Sequence, residues 1–317
     1  MTQGAEPGLG PLDAVILCGD RGSARMVEGE AKAFLFIHGL PMFLWPAMAA
    51  NQSPEVGRLF FVGNKKKLDY YLARASQYIS KPTVTIEQGS TLLENAWKGF
   101  LATVDGYSDG AEKTNPSMME KAVLYIPGDA PLVCPEEIGE FIAASDMGRF
   151  DYVAGFTKES VMERYYPSGG LPGIKMAYLH FMEGRFRINN LHLVRPFKCA
   201  NREVAQMMYH SRYQKDLRNI VHLARDLFAL GVNRRTLAIY AKLQAAMFLN
   251  FAGLTGASDL IRARVPMADV AGAVDAILGM RVGWAVTSRG GAALDVDNDA
   301  DYETMKKMFH RWKEMQR

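Results

Sequence analysis

The sequence predicts an α/β fold in which helices flank a mostly parallel β-sheet, and two patterns carry this prediction. First, short runs rich in β-branched and aromatic residues alternate with stretches of helical pattern over the first half of the chain. Second, these runs are almost continuously apolar, as expected of strands that helices cover on both faces. Such alternation is typical of consecutive βαβ units. The predicted strands lie within 13–18, 58–64, 83–89, 121–132 and 151–157, and a short strand, a turn and a helix are predicted over 33–50.

The second half of the chain departs from this rhythm. Residues 173–196 alternate apolar and polar side chains around a turn at Glu183, which predicts extended β-structure projecting from the sheet. Residues 201–256 have a helical pattern and are predicted to form an inserted helical segment. Residues 280–315 predict a strand, a Gly-Gly turn, a short strand and a closing helix. We therefore expect one Rossmann-like domain over residues 1–317 with a helical insertion.

The composition is that of an ordinary folded protein, and it argues against several classes of function. Apolar residues make up 49% of the 317 residues and charged residues 22%. The net charge of +3 is too small to indicate a nucleic-acid partner. The three cysteines are far apart, which predicts neither disulfides nor a zinc site and favours a cytoplasmic location. The N-terminus lacks a signal-peptide pattern, and glycine and prolines interrupt the uncharged stretch 33–54, so no membrane span is predicted.

A glycine-containing loop follows the first predicted strand and is the first candidate for a ligand site. Gly19 and Gly22 would let backbone amides approach an anion closely, and Arg25 and Lys32 could neutralise it. The spacing matches neither the dinucleotide-binding fingerprint nor the P-loop. In open α/β sheets ligands bind beyond the carboxyl ends of the strands, where this loop is expected to lie. We therefore predict a polyphosphate ligand here.

The loop resembles the signature of MobA-like and sugar-phosphate nucleotidyltransferases, which have the GT-A-like form of this fold. In that family the pattern is L-A-[AG]-G-x-G-x-R-M, then a lysine, then G-x-P. Here the stretch reads LCGDRGSARM…KAFLFIHGLPM, with one extra residue before Arg25. Cys18 and Asp20 stand where the family commonly has alanine and glycine. The matching residues are Leu17, Gly19, Gly22, Arg25, Met26, Lys32, Gly39 and Pro41.

Two further segments extend the resemblance and imply a metal site. YIPGDAPL is similar to the family's G-D-x-P-L strand end, and ALDVDNDADYE is similar to its D-[IV]-D-T-P-E-D segment. By position, Asp129 and Asp297 would bind Mg²⁺. The resemblance assigns the triphosphate to Arg25 and Lys32, which are therefore the candidate catalytic residues. It assigns nucleotide contacts to Leu17, Cys18, Gly19, Gly22, Gln88, Gly89 and Gly128.

The resemblance implies transfer of a nucleoside monophosphate from a nucleoside triphosphate to a phosphorylated small molecule, with release of pyrophosphate. CTP is the favoured nucleotide on family resemblance alone. Basic residues on the extended segment 173–196 would face the acceptor. They would give this segment the positive charge that a phosphorylated acceptor needs. The candidate acceptor residues are Lys175, Arg185 and Arg187, with His180 and His192 on the same segment.

The residues also leave other interpretations open. Asp295 and Asp297 resemble the D-x-D metal motif of nucleotide-sugar-dependent glycosyltransferases, which share a similar nucleotide-binding sheet. Cys18, Asp20 and Asn298 depart from the family pattern and would suit a catalytically inactive nucleotide-binding module. Asp129 alone could cap the helix that follows it, and the acidic run near Asp297 could be an ordinary helix N-terminus.

The helical segment 201–256 has a structural and a functional interpretation. It could simply bury an apolar face on the sheet. Its apolar residues do not all fit one helix face, however, and its basic residues could meet a phosphate or an anionic membrane. The functional hypothesis is an acceptor-side lid or a homodimer interface, with peripheral membrane contact and a lipid-like or isoprenoid-like phosphate less favoured. The residues concerned are Met247, Phe248, Leu249 and Phe251, and Arg212, Lys215, Arg218 and Arg225.

Overall fold

A computed structural model describes residues 10–20, 26–202 and 234–316. In that part of the chain the strands are β1 Leu12–Cys18, β2 Met26–Val27, β3 Glu30–Ala31, β4 Phe36–Ile37, β5 Leu40–Pro41, β6 Val56–Gly63, β7 Thr83–Glu87, β8 Val123–Pro127, β9 Tyr152–Lys158, β10 Leu179–Phe181, β11 Gly184–Val194 and β12 Val282–Thr287. The helices are α1 Leu44–Gln52, α2 Lys65–Arg74, α3 Leu92–Thr103, α4 Pro116–Met119, α5 Pro135–Ala144, α6 Glu159–Met162, α7 Arg234–Phe251, α8 Thr255–Arg262, α9 Met267–Leu278 and α10 Asp299–Glu314.

The predicted mostly parallel sheet is confirmed. Within the described residues the central sheet has eight strands, in the order β12-β9-β11-β8-β1-β6-β7, with β10 paired to β11. Strands β7, β6, β1 and β8 run parallel to one another, as do β9 and β12. Strand β11 runs antiparallel to both of its neighbours, β8 and β9. The carboxyl ends of β1 and β8 therefore meet at one edge of the sheet.

The expectation that residues 173–196 project from the sheet is wrong. Strand β11 is inserted between β8 and β9, and its backbone pairs with both. Its buried residues, among them Leu191 and Leu193, belong to the central core. Alternating apolar and polar residues are typical of a partly exposed hairpin, but alternation alone does not tell which strands lie on either side. A break in the pairing register between Ile188 and His192 bends β11 beside the loop that follows β12.

Two other short elements also differ from expectation. The predicted short strand after the Gly-Gly turn is a 3₁₀ helix over Gly291–Ala293. The strand, turn and helix predicted over 33–50 are a 3₁₀ helix over Lys32–Phe34, a hairpin of β4 and β5, and helix α1. The hairpin turns at His38 and Gly39, both with positive φ, which suits a tight two-residue turn.

Helices cover the central strands on both faces, which explains the continuous apolar runs. Ile16 of β1 packs with residues of α1 and α5 on one face, and the adjacent Val15 packs with Phe100 of α3 on the other. Successive side chains of a strand point to opposite faces, so a strand covered on both sides must be apolar throughout. Both residues are fully buried.

A third apolar cluster holds the closing helix α10 against the loops that follow β1. Met305, Phe309 and Trp312 of α10 are buried there together with Ile37 and Met42. The hydroxyl of Tyr302 also donates to the carbonyl oxygen of Phe36 over 2.8 Å. This packing brings the segment before α10 next to the segment that follows the glycine loop.

Of the helical segment 201–256, the structure describes residues 201–202 and 234–256. Ile239 and Ala246 of α7 are buried, whereas the side chain of Phe248 is 67% exposed. Leu249 is half-buried, and the side chains of Met247 and Phe251 lie outside the described residues, as do the basic residues Arg212, Lys215, Arg218 and Arg225. The lid, the dimer interface and the membrane contact stay predictions. In the portion of the chain that the structure describes, the helices are too short or too polar to cross a bilayer.

Candidate functional site

The ends of strands β1 and β8 form the floor of the site. The two strands pair in parallel from Asp13 to Leu17, and the amide of Gly128 donates to the carbonyl oxygen of Leu17 over 2.9 Å. A Cβ atom on Gly128 would lie 2.9 Å from that oxygen and 3.0 Å from Sγ of Cys18. The two loops can thus approach so closely only because residue 128 is glycine.

Lys32 lies between two carboxylates at this edge of the sheet. Its ammonium nitrogen is 2.7 Å from Oδ1 of Asp297 and 3.5 Å from Oδ2 of Asp129. The side chain of Lys32 is 15% exposed, against 24% for Asp129 and 46% for Asp297. Residues far apart in sequence therefore form one compact charged cluster, which we call the Lys32 cluster (Lys32, Asp129 and Asp297).

The pKa values in the Lys32 cluster follow from burial and charge together. Burial, and then the negative charge of Asp295, raises the pKa of the Asp129 carboxyl to about 6, although Lys32 opposes the shift. Burial acts to lower the pKa of the Lys32 ammonium, but the negative charges of Asp129 and Asp297 outweigh it and raise that pKa. The cluster therefore favours a cation beside Asp129.

Two hairpins hold Lys32 in place. The β2–β3 hairpin turns at Glu28 and Gly29, and the β4–β5 hairpin turns at His38 and Gly39, all four with positive φ. The 3₁₀ helix that begins with Lys32 lies between them, and its other two residues are buried. The ammonium group of Lys32 is thus carried by a segment whose backbone is fixed by hairpins and buried neighbours.

Asp297 is delivered by the segment that precedes α10. The amide of Val296 donates to the carbonyl oxygen of Asp129 over 3.2 Å, which ties the two carboxylate-bearing segments together. Asn298 caps α10, because its side-chain oxygen accepts from the amide of Asp301 over 3.0 Å. The departure from the family pattern at Asn298 therefore has a structural explanation.

Asp295 has a different partner from Asp297. Nη2 of Arg187 donates to Oδ1 of Asp295 over 2.6 Å, and Nε of Arg187 donates to the carbonyl oxygen of Ala293 over 2.8 Å. The two carboxylates of the D-x-D pair are therefore divided, one toward Lys32 and one toward Arg187. Arg187 fixes the segment that carries Asp297, in addition to any contact with an acceptor.

A second group of residues lines the glycine loop and joins it to the loop after β7. The amide of Asp20 donates to Oε1 of Gln88 over 2.8 Å, and Nε2 of Gln88 donates back to Oδ1 of Asp20. The amide of Gly89 donates to Oδ1 of Asn95 over 2.6 Å. Gln88 and Asn95 are both buried. Asp20, at a position that is commonly glycine in the family, is thus bonded to Gln88.

The structure brings some of the sequence-predicted residues together and leaves others apart. Leu17, Cys18, Gly19, Gln88, Gly89, Gly128, Lys32, Asp129 and Asp297 lie at the ends of β1, β7 and β8 or on the loops beside them. Gly22 and Arg25 lie outside the described residues. Among the predicted acceptor residues, Lys175 is exposed, and Arg185 pairs with Glu159 over 3.4 Å and with Asp259 of α8 over 3.8 Å.

The sequence interpretation missed two buried polar residues. Asn95 lies in the first turn of α3 and Glu137 in the first turn of α5. Asparagine has a low helix propensity, so its presence inside a helical pattern was a usable signal. Glu137 gave no such signal, because acidic residues are common in the first turn of any helix.

The close contact between Gly19 and Asn95 gives a first testable prediction. A Cβ on residue 19 would lie 2.7 Å from Nδ2 of Asn95. Oδ1 of the same side chain accepts a hydrogen bond from the amide of Gly89. We expect Gly19→Ala to displace Asn95 and to weaken nucleotide binding by about tenfold or more, equivalent to about 1.4 kcal/mol. The thermal shift measured with a panel of nucleoside triphosphates and Mg²⁺ gives the loss.

The matched control is Gly272→Ala in α9, where a Cβ would meet no atom within 4 Å. We expect this variant to keep the wild-type thermal shift and to gain slight stability, since alanine favours the helix. Wild-type nucleotide binding by Gly19→Ala would contradict the prediction that the loop after β1 binds the nucleotide.

The donor set of the Lys32 cluster suits a hard divalent cation. Mg²⁺ prefers oxygen ligands and is commonly held by one or two carboxylates together with substrate phosphates. Among residues 10–20, 26–202 and 234–316, no group of three or more His, Cys, Asp or Glu side chains is arranged to hold a metal ion by itself. Asp129 and Asp297 would therefore supply two of the ligands of such an ion, and a bound phosphate would supply others.

A comparison with one solved structure agrees with this fold. A hypothetical transferase from Thermus thermophilus is 21% identical, with 92% of this chain and 98% of that chain aligned at a TM-score of 0.62. A 4-diphosphocytidyl-2C-methyl-D-erythritol synthase from Anaerococcus prevotii is 11% identical, with 95% of this chain and 97% of that chain aligned at a TM-score of 0.49. No curated protein sequence matches the chain.

A family model is more informative than these individual structures. The model described as the MobA-like NTP transferase domain matches residues 14–264. The matched span includes the helical segment 201–256, which the motifs in the sequence do not cover, and ends before Asp297. Because this span exceeds half of the chain, the chain belongs to the MobA-like NTP transferase domain family and is a nucleotidyltransferase.

Proposed function

We propose that this chain transfers a nucleoside monophosphate from CTP to the phosphate of a small-molecule acceptor, with release of pyrophosphate and with Mg²⁺ as cofactor. The Lys32 cluster at the carboxyl ends of β1 and β8 is the observation that supports this most strongly. It combines two carboxylates for a metal with an ammonium for phosphate oxygens. The choice of CTP rests on the family resemblance.

The residues of this chain would act mainly by positioning and electrostatics. The backbone of Cys18 and Gly19, with the wall formed by Gln88, Gly89 and Asn95, would hold the nucleotide. Lys32, with Arg25, would stabilise the charge that develops on the departing pyrophosphate. Mg²⁺ on Asp129 and Asp297 would supply Lewis-acid polarisation of phosphate oxygens.

The reaction balances without a general base in the protein. An oxygen of the acceptor phosphate forms a bond to the α-phosphorus, and the bond from the α-phosphorus to the oxygen bridging to the β-phosphate breaks. The electron pair leaves with pyrophosphate. Because a phosphate dianion is already a nucleophile, proximity and alignment are the protein's main contributions to this step.

We propose the side of the site next to β11 for the acceptor. Arg185 and Arg187 are two residues apart on β11 and therefore share a face of the sheet. Arg187 bonds to Asp295, two residues before Asp297, so it is the basic side chain of β11 with a direct link to the metal-binding segment. The exposed Lys175 would add positive charge on the segment that leads into β10.

A panel of nucleoside triphosphates tests this function. Ligands that bind the native state raise its stability by mass action, so the melting temperature with Mg²⁺ and CTP, GTP, UTP or ATP ranks the nucleotides. Exchange of labelled pyrophosphate into CTP then tests the chemistry in the presence of candidate phosphorylated acceptors. A glycosyltransferase or an inactive module would give no exchange with any acceptor.

A further inference from the structure

The Lys32 cluster holds a cation of the protein itself between the two carboxylates proposed for the metal. The ammonium of Lys32 is within 3.5 Å of both Asp129 and Asp297, and it forms a hydrogen bond of 2.7 Å to Asp297. A divalent ion bound by both carboxylates would have to lie in the same space. Two cations cannot share one carboxylate pair at these distances without strong repulsion.

Within the described residues, two other carboxylates that interact with the charge of Lys32 already have hydrogen-bond partners of their own. Asp295 is engaged by Arg187 over 2.6 Å. The carboxylate of Asp301 accepts hydrogen bonds from the amide of Asp297 over 3.3 Å and from the side chain of Asn298 over 2.7 Å. If Lys32 left its present position, an anionic ligand would be a suitable new partner for its ammonium. A triphosphate bound beyond the end of β1 is such a ligand.

The lysine side chain is suited to such a move. It ends in a compact ammonium with three donors on a flexible four-carbon stem, so it can turn from a carboxylate to a phosphate while its backbone stays fixed. The backbone here is fixed by the two flanking hairpins and by the buried Ala33 and Phe34. An arginine at this position would also occupy the carboxylates.

We propose that the ammonium of Lys32 is the resident counter-ion of Asp129 and Asp297, and that a divalent metal enters this carboxylate pair only when a polyphosphate gives Lys32 a new partner. The inference rests on the proposed function, because it takes Asp129 and Asp297 as the metal ligands. It adds that metal and nucleotide bind as a unit and that the protein excludes the free metal.

Binding of Mn²⁺ alone tests the proposal without any measurement of activity. The electron paramagnetic resonance signal of free Mn²⁺ reports binding to the whole chain in the absence of nucleotide. We expect weak binding by the wild type and binding tighter by about tenfold or more in Lys32→Met, the scale of a typical coupling between sites. Tripolyphosphate should tighten Mn²⁺ binding by the wild type more than by Lys32→Met.

Two further variants test whether the charge of Lys32 controls Mn²⁺ binding, rather than its packing or a general effect of losing a lysine. Lys32→Arg keeps a cation at the site and should exclude free Mn²⁺ as the wild type does. Lys121→Met is the matched control: Lys121 pairs with Asp13, a buried carboxylate on the first residues of β1 that also pairs with Arg58. Its loss should not change Mn²⁺ binding. Lys32→Gln replaces Lys32→Met if the methionine variant does not fold.

Several outcomes would overturn the inference. The inference fails if the wild-type protein binds Mn²⁺ alone as tightly as Lys32→Met does. A gain in Lys32→Met that survives Asp129→Asn would place the metal elsewhere. Mn²⁺ binding by the wild type with CTP, without tighter binding of Mn²⁺ alone in Lys32→Met or in Lys32→Gln, would reject the inference and leave the proposed function intact. Absence of any Mn²⁺ binding with CTP would reject both.

Discussion

Asp129→Asn and Asp297→Asn should each stay folded and each lose turnover by about two to three orders of magnitude, the scale of one electrostatic contact to a transition state. Both carboxylates lie at strand or helix ends and converge on the ammonium of Lys32. Asparagine keeps the size of aspartate but removes the charge that would hold Mg²⁺. Steady-state kinetics with CTP, acceptor and Mg²⁺ measure the loss, and circular dichroism checks the fold.

The double variant Asp129→Asn/Asp297→Asn should lose much less than the sum of the two single losses, because both residues would act through one metal. Asp299→Asn is a matched control on the same segment. Its carboxylate accepts a hydrogen bond from the amide of Glu28 over 2.9 Å, and asparagine keeps an oxygen that accepts this bond, so the variant should leave turnover near the wild-type value. Wild-type activity with an unchanged Mg²⁺ requirement in Asp297→Asn would show that the metal assignment is wrong.

The sequence could predict this edge of the sheet because parallel strands place their carboxyl ends together. Leu17 and Pro127 are register partners of β1 and β8, so the residues after them had to be neighbours once both runs were recognised as parallel strands. The role of Gly128 could also be predicted from the sequence, since a small residue at a strand end allows a close approach of the neighbouring backbone. The family resemblance supplied the partner from the far end of the chain, Asp297.

The rest of the site depends on pairings that no local pattern contains. The insertion of β11 between β8 and β9 is a long-range choice, and it decides that Arg187 reaches Asp295. Arg187 in an alternating segment looked like a solvent-facing acceptor residue, whereas the structure also gives it a partner within the protein. The contact between Asn95 and Gly89 likewise depends on how α3 docks on β1 and β6.

The buried carboxylate of Glu137 holds the turn that leads into the segment bearing Asp297. Oε1 of Glu137 accepts from the hydroxyl of Thr287 over 2.9 Å and from the amide of Gly290 over 3.1 Å, and Oε2 accepts from the amide of Ala292 over 2.8 Å. The side chain of Glu137 is fully buried. These bonds connect α5, which follows Asp129, to the loop after β12.

We expect Glu137→Ala to lower the free energy of unfolding by about 3–5 kcal/mol, because it leaves several buried donors without an acceptor. Urea denaturation measures the change. Glu140→Ala is the matched control one turn later on α5: the half-buried Glu140 accepts from the amide and hydroxyl of the exposed Ser288, both over 3.1 Å. Its loss should cost about 1 kcal/mol or less.

The same carboxyl should give the protein a measurable pH dependence of stability. Burial raises the pKa of Glu137 from 4.5 to about 6, even though its hydrogen bonds oppose the shift. The folded protein thus holds this proton more tightly than the unfolded chain, so the contribution of Glu137 is complete below pH 4.5 and falls as the pH rises through 6. We expect the gap in unfolding free energy between wild type and Glu137→Gln to narrow by about 2 kcal/mol from pH 4.5 to pH 7. A gap that widens over this range would mean that the hydrogen bonds from Thr287, Gly290 and Ala292 stabilise the ionised carboxylate more than burial disfavours it.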